Sequence, residues 1–599
     1  MNNQTEHSFH IPVMGLGFTI DTPLKVAKYG ISSVLSIMED HLIEEMRRVY
    51  FEKYNLEYTP IVDLDRDRRS KRITSYLNFV NDIVNQQIEQ IRNQSFTEES
   101  DLTKYFELLP ENSYGKLRYI KMLQESDRLE REIMILDLKS MVIAGSIDVN
   151  IMTKLDNQNF SKSGERLPEE YSDAKTALKG FAESNLSSSV ILSAGMNPKL
   201  FSYFESFADF YPNEYGELKK KVILKVSDYR SALIQGKIFA KKGIWISEFR
   251  IESGLNCGGH AFATQGLLLG PILEEFKEKK QELHDEMFQL CETAILEKQI
   301  SPFIQKPSFK ITVQGGIGTS AENSFLMNQY NLDGTGWGSP FLLVPESTNV
   351  DDRTINALVN SKKEDFYLSN SSPLGVPFNN FRNTTSEDQR NERISKGKPG
   401  SPCYKKFLSN NTEFTEEPIC TASRQYQKLK IEQIERSEST LVIKDFQKTK
   451  VMEKDCLCEG LGTTAILQNN GKLSHKLEAV SICPGPNLFF FKSTFSLSEM
   501  VDHIYGRFNA LNKVYRPHVF VNEAQLYVDY LKKEIETQIE VLTQKQKNYF
   551  EQFKQNLEEG LNYYSKLMTL KEFGSKVGMT GFNDQINQLK LSLHRIQIG

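Results

Sequence analysis

The chain has 599 residues, 39% hydrophobic and 11% aromatic, enough for more than one compact domain with a full core. A formal charge of -5 argues against a nucleic-acid binder, which needs a basic face, and 25% charged residues is ordinary for a soluble protein. No apolar run approaches the roughly 18–20 residues of a spanning helix, and Met1 to His10 lacks the apolar stretch of a signal peptide, so the expected setting is cytoplasmic, with no membrane contact and reduced cysteines.

In chain order, β-rich apolar runs stand at residues 12–18, 31–37, 147–152, 189–194, 221–226, 244–251, 309–313 and 338–344. Helical patterns at 24–29, 174–184, 198–207, 229–241, 271–297 and 321–330 separate most of them. Alternation of this kind implies parallel βαβ units. Eight units predict an α/β chain with a closed (β/α)8 TIM barrel over 10–37 and 144–346; periodicity alone leaves an open doubly wound sheet as the alternative. Residues 38–143, after the second strand, read as a helical insertion serving as a lid, a dimer contact or both. Within it the basic run 66–72 reads as a solvated helix start. Beyond the barrel come a loop-rich segment (347–420), a cysteine-containing α+β extension (421–515) and a helical segment (516–599). In the last, an apolar stripe through Leu531, Ile535, Ile539, Leu542, Phe550, Phe553, Leu557, Leu561 and Tyr564 predicts packing on the body or on a second subunit, which leaves room for a homodimer.

Three motifs carry chemistry. Lys310 to Thr319 runs a strand into Gly315-Gly316 and then a helix; bare glycine N–H groups and a helix N-terminus suit a phosphate, and a ligand-free tight turn is the plain alternative. One βα unit later, Gly338 and Ser339 offer an N–H and a hydroxyl to the same phosphate, the place where barrels of this class bind one. After the sixth strand, Gly258-Gly259-His260 puts an imidazole on a turn that allows close approach to a flat ring, and a histidine transfers protons near neutral pH. Cys257 beside it reads as a packed thiol. Asn150, at the end of the third strand, is a strand-end cap or a ring contact; Lys225, inside the fifth, needs an anionic or carbonyl partner, either a salt bridge or a ligand edge.

The order Pro12-Val13-Met14, Thr22-Pro23-Leu24, Val149-Asn150-Ile151-Met152, Lys225-Val226-Ser227, Gly258-Gly259-His260, Gly315-Gly316-Ile317 and Gly338-Ser339-Pro340-Phe341-Leu342 resembles the nitronate monooxygenase (2-nitropropane dioxygenase-like) family. FMN-dependent enoyl-ACP reductases and the reductase components of polyunsaturated fatty acid synthases share that barrel. The likeness covers roughly residues 10–400. It implies non-covalent FMN, with phosphate on Gly315, Gly316, Gly338 and Ser339, and with Gly15, Asn150, Lys225, Gly258 and Gly259 about the ring. His260 would be the base that helps oxidise a small carbon acid, with O2 reoxidising the flavin. The alternatives are an NAD(P)H-dependent enoyl reductase of lipid or polyketide synthesis and a non-catalytic FMN or phosphate scaffold. The family's small acidic run before Gly-Gly-His is replaced here by Leu255-Asn256-Cys257, and neither the insertion nor the last 180 or so residues belong to simple members.

Cys456-Leu457-Cys458 precedes a glycine-rich turn, Gly460-Leu461-Gly462, and Cys483 follows 25 residues on. Thiolates near such turns can hold zinc or an iron–sulfur cluster, but C-x-C is not the usual C-x2-C spacing, so the expectation is no metal and ordinary buried thiols, with Cys456, Cys458 and Cys483 the weak candidates.

Overall fold

The structure is a computed structural model that describes residues 5–160, 165–193, 195–261, 265–473, 478–511, 514–536, 542–567 and 581–598. Eight parallel strands close into a barrel in sequence order: β1 (Phe9–Ile11), β2 (Ser32–Ser36), β3 (Ile147–Met152), β4 (Ser189–Ser193), β5 (Lys221–Val226), β6 (Ile246–Glu252), β7 (Lys310–Gln314) and β8 (Gly334–Gly336), with β8 returning to β1. Helices lie between the strands, so the fold is a (β/α)8 TIM barrel.

Six strands fall where the apolar runs predict them, although Ala194 lies outside the described residues. The first and last do not. Residues 12–18 form a turn after β1, with Gly15 at φ +53°. Ser339–Leu343 is a 3-10 turn, because Pro340 has no N–H to give a strand ladder. The true eighth strand is Gly-Thr-Gly: a Cβ on Gly336 would sit 2.6 Å from Gln314 Cβ and 2.8 Å from His10 Nε2, so the glycine that hides the strand from an apolar-run reading is what lets the barrel close.

Between β2 and β3 the longest helix, Arg68–Arg92, lies along the Asp173–Ala182 helix. Gly180 permits the contact, since a Cβ there would come 2.7 Å from Ile73 Cβ. The basic helix start is only partly solvated: Arg66 and Lys71 are exposed, but Arg69 and Arg72 are both 4% exposed and reach Asp40 at 2.6 and 2.7 Å. Burial alone would raise the Asp40 carboxyl, but the two guanidiniums hold it down to about 2.

After the barrel, β9 (Phe366–Ser369) and β10 (Phe378–Phe381) form an antiparallel hairpin, and helices follow. The Gly460-Leu461-Gly462 stretch is helical rather than a turn. It belongs to the Leu457–Gln468 helix, whose glycines allow close passage over the barrel mouth; the Gly17 N–H donates to Leu461 O at 2.8 Å. The tail helices Val519–Glu536 and Gln544–Leu567 pack on the Leu269–Glu297 helix. The apolar stripe is buried at Leu531, Phe550, Phe553, Leu557, Leu561 and Tyr564, while Ile539 lies outside the described residues. No helix among the described residues is long and apolar enough to cross a membrane.

Candidate functional site

In a barrel strand every second side chain points inward. Here that rule brings Ser36, Asn150, Ser193, Lys225, Glu252 and Gln314 to the C-terminal mouth, where they line a cavity of about 1230 Å³, counting space continuous with solvent. Val34, Ile191 and Ile223, with Val13 packed on them, form a separate apolar cluster, and Val13, Val34 and Ile191 also line the cavity. Phe378 from β10 and Leu457 and Leu461 from the tail contribute to the walls.

The polar side chains form a chain. Lys225 Nζ pairs with Glu252 Oε2 at 2.7 Å, Gln314 Nε2 donates to Glu252 Oε1 at 2.8 Å, and Gln314 Oε1 lies 3.4 Å from His10 Nε2. The need of a buried lysine for an anionic partner is therefore met inside the protein. Below, Arg250 Nε meets Glu248 Oε1 at 2.8 Å. Burial would raise Glu248, but Arg250 outweighs it and holds the carboxyl down to about 2. His10 drops to about 3, through burial first and the charge of Arg250 second. Asn150 Oδ1 is buried and has no hydrogen-bond partner among the described residues. An unsatisfied buried acceptor at a cavity wall calls for a donor from outside the chain.

His260 lines the same cavity. The loop that carries it is clamped from outside the barrel: Gly259 N–H donates to Cys483 O at 3.0 Å, Ala261 N–H to Pro377 O at 2.9 Å, and Asn379 N–H to Gly259 O at 2.9 Å. Both glycines hold positive φ, +116° at Gly258 and +79° at Gly259. A Cβ on Gly258 would lie 2.1 Å from Cys483 O, whereas one on Gly259 would meet nothing within 4 Å. His260 Nε2 is 2.6 Å from Ser372 Oγ. Burial, then the charge of Lys225, lowers the imidazole to about 4, so it is neutral at pH 7. Burial raises the Cys257 thiol far above its ordinary value, in keeping with a packed thiol.

Gly15, Asn150, Lys225, Gly258, Gly259 and His260 therefore share one cavity, while Gly315, Gly316, Gly338 and Ser339 do not line it. The glycines of these two loops are packed against the β6 loop: a Cβ would meet Asn256 Cα at 2.8 Å from Gly315, Leu255 Cβ at 2.8 Å from Gly316 and Cys257 Cβ at 2.6 Å from Gly338. Ser339 Oγ donates to Cys257 O at 2.9 Å and accepts from Gly485 N–H at 2.8 Å. Arg516 lies over the 315–318 loop, donating to Gly316 O, to Asn487 Oδ1 at 2.7 Å and to Glu322 Oε1 at 2.5 Å. Glu322 also takes the Gly318 N–H, at 2.9 Å. The ring end of a flavin site thus fits the residues present. In the phosphate loops, the chain's own Glu322 takes the Gly318 amide and the Gly485 amide donates to the Ser339 hydroxyl.

Cys458 and Cys483 line the cavity, and all seven cysteines are free thiols. Among the described residues no group of three or more His, Cys, Asp or Glu side chains is placed to hold a metal; Cys456 caps the N-terminus of the Leu457–Gln468 helix. Sequence reading missed Glu252, Gln314, Arg250, Ser372 and Phe378. Glu252 and Arg250 carry a usable signal: in Ile246-Ser247-Glu248-Phe249-Arg250-Ile251-Glu252, charges alternate with apolar residues inside a barrel strand, so they face inward. Ser372 and Phe378 carry none, since they arrive from the post-barrel segment.

No protein-family model and no curated protein matches the sequence. Among solved structures, the chain is similar to a FabK mutant from Thermotoga maritima, at 12% identity over 64% of this chain and 81% of that one, with a TM-score of 0.31. It is also similar to the enoyl reductase domain of MlnA from the macrolactin biosynthesis cluster of Bacillus amyloliquefaciens, at 14% identity, 68% and 89% coverage and a TM-score of 0.32. A nitroalkane oxidase from Streptomyces ansochromogenes matches at 11% identity, 43% and 68% coverage and a TM-score of 0.26.

Proposed function

We propose that the chain is a flavin-dependent oxidoreductase that takes the flavin ring, as FMN, into the barrel mouth and oxidises a small carbon acid there. The observation that carries this reading is the unpartnered, buried Asn150 Oδ1 in a mostly apolar cavity that also holds Lys225, Gly259 and His260. A flat heterocycle with an N–H at its edge satisfies such an acceptor, and the open space over Gly259 admits it. Bound flavin would supply the two-electron acceptor, with O2 as terminal oxidant.

The chain's own residues do the rest. Glu252 holds Lys225 at the wall, so a cationic head faces any carbonyl or anion brought into the mouth. His260, kept neutral by burial, is in its proton-accepting form at pH 7, and the hydrogen bond to Ser372 fixes its ring. In carbon-acid oxidation that neutral imidazole would act as the base, whereas enoyl reduction would call for a proton donor at the same place. Phe378, Leu457 and Leu461 give the pocket apolar walls.

The test is the visible spectrum of the purified chain, with mass identification of any released chromophore. Bands near roughly 370 and 450 nm with FMN released support the reading. A colourless chain that refuses added FMN would sink it. Decay of the bands with NAD(P)H in the absence of O2 would move the assignment to the reductase.

A further inference from the structure

The tail helix Val519–Glu536 turns one face inward, through Val519, Phe520, Ala524, Tyr527, Val528 and Leu531, all buried. Glu523 sits on that same face, one turn from Val519 and one from Tyr527, and is 1% exposed. A carboxyl buried there costs stability that an apolar side chain would not, unless it has partners. Its partners are two backbone amides: Gly254 N–H donates to Oε1 at 2.8 Å and Leu269 N–H to Oε2 at 2.7 Å. These two residues stand on either side of Gly258-Gly259-His260, one just past β6 and the other opening the Leu269–Glu297 helix.

Local sequence explains why the carboxyl comes from so far away. The N-cap residue of the Leu269–Glu297 helix is Leu268, which has no side-chain oxygen, so the cap is supplied by residue 523. Gly254 is small because the tail passes close: a Cβ there would lie 2.3 Å from Tyr527 Oη. The second tail helix, Gln544–Leu567, adds to the hold, with Tyr564 Oη taking the Gly270 N–H at 3.1 Å and Asn556 Nδ2 donating to Gln265 O at 2.8 Å. From Gly254 the hold passes to the imidazole loop by hydrogen bonds. Asn256, its N–H on Ser253 O at 3.0 Å, accepts the Gly258 N–H at 2.7 Å and donates to His260 O at 3.3 Å.

We propose that Glu523 is a positioning residue for His260, a latch by which one tail carboxyl fixes both flanks of the loop that carries the imidazole. That this imidazole is a base rests on the flavin reading; the latch does not. Burial raises the Glu523 carboxyl to about 7, and the two amides lower it. The titratable side chains beside it are Tyr527 and Tyr564, and burial holds Tyr564 far above its ordinary value, so that phenol keeps its proton near neutrality. The β6 loop and the Leu269–Glu297 helix face it with the two amides. In water the carboxyl returns to its ordinary 4.5. Opening the latch therefore releases a proton between pH 4.5 and about 7, and becomes easier as pH rises, on the order of a hundredfold over that span.

Amide hydrogen exchange on the full chain, resolved to single residues and divided by the intrinsic rate, tests this without flavin. In the wild type the Gly254 and Leu269 amides should open together, with that pH dependence. In Glu523→Gln, which cannot ionise, the dependence should vanish at both. Glu523→Ala deprives both amides of their acceptor, so at pH 5 they should exchange about tenfold faster. In the same variant the His260 imidazole, followed by NMR, should titrate above about 4, towards its ordinary 6.5. Should Glu523→Ala fail to fold, Glu523→Gln still decides. The same pH dependence in Glu523→Gln as in the wild type, or amides and imidazole unmoved in Glu523→Ala, would overturn the proposal. A chain that passes these tests but binds no flavin would keep the latch and lose the base assigned to His260.

Discussion

His260 Nε2 and Ser372 Oγ lie 2.6 Å apart, across 112 residues of sequence. The barrel loop supplies the imidazole, and the segment after the barrel fixes its orientation. Leu374 N–H donates to the same hydroxyl at 3.2 Å, which holds the serine in turn. The candidate base is therefore set by two parts of the chain, and neither can be trimmed without loosening it.

His260→Ala should lower kcat/KM by about 10²-fold or more while flavin absorbance per chain stays the same, since general base catalysis commonly contributes that much. Ser372→Ala leaves the ring in place but unanchored and should cost about tenfold. Unchanged kinetics in His260→Ala would remove its role.

Stability should fall in mild acid. Burial lowers His7, His260 and His518 to about 4 and His10 to about 3. Unfolded histidine protonates near 6.5, so between about 6.5 and 4 the unfolded chain binds more protons. The stability is fully present above about 6.5 and lost as pH falls towards 4, or towards 3 for His10, on the order of 3–5 kcal/mol at most for each histidine. Glu523 has the opposite sign: burial raises it to about 7, so its contribution is present below about 4.5 and lost as pH rises through 7. Urea midpoints measured from pH 4 to 8 should rise through the histidine window and turn down near neutrality. A flat acid limb would contradict the burial of the histidines.

The two glycines before His260 should separate in thermal unfolding. Gly258→Ala places a Cβ 2.1 Å from Cys483 O, so backbone must move, and the cost should exceed about 3 kcal/mol. Gly259→Ala meets nothing and bears only the φ of +79°, about 1–2 kcal/mol. Equal losses would mean that the loop is not clamped by the 483–485 segment.

Arg516→Ala leaves Glu322 buried without its cation and should destabilise by about 3–5 kcal/mol. Hydrogen exchange then locates the phosphate. If FMN phosphate enters at Gly315, Gly316, Gly338 and Ser339, adding FMN should speed exchange of the Gly485 amide, whose bond to Ser339 must break. Bound FMN with unchanged Gly485 exchange would place the phosphate elsewhere in the cavity.

The alternating apolar runs determined the parallel βαβ units and six of the strands, because a strand buried on both faces must be apolar along its length, as Val222-Ile223-Leu224 is, while closure into a barrel rather than an open sheet was decided by the tertiary structure. They could not place β8, Gly-Thr-Gly, where close approach of His10 and Gln314 demanded glycine at Gly336 instead of bulk. The Gly-Gly-His turn was legible because positive φ and tight passage select glycine wherever they occur. Glycine at 315, 316 and 338 looks the same in sequence whether it makes room for a phosphate or for Leu255, Asn256 and Cys257. Only the tertiary structure shows that the 483–487 segment and Arg516, brought from far along the chain, lie against those loops. The same holds for Lys225, whose need for a partner was evident from its place in a buried strand. That the partner is Glu252 depends on the stagger of neighbouring strands, which hydrogen-bonded pairing around a closed barrel sets.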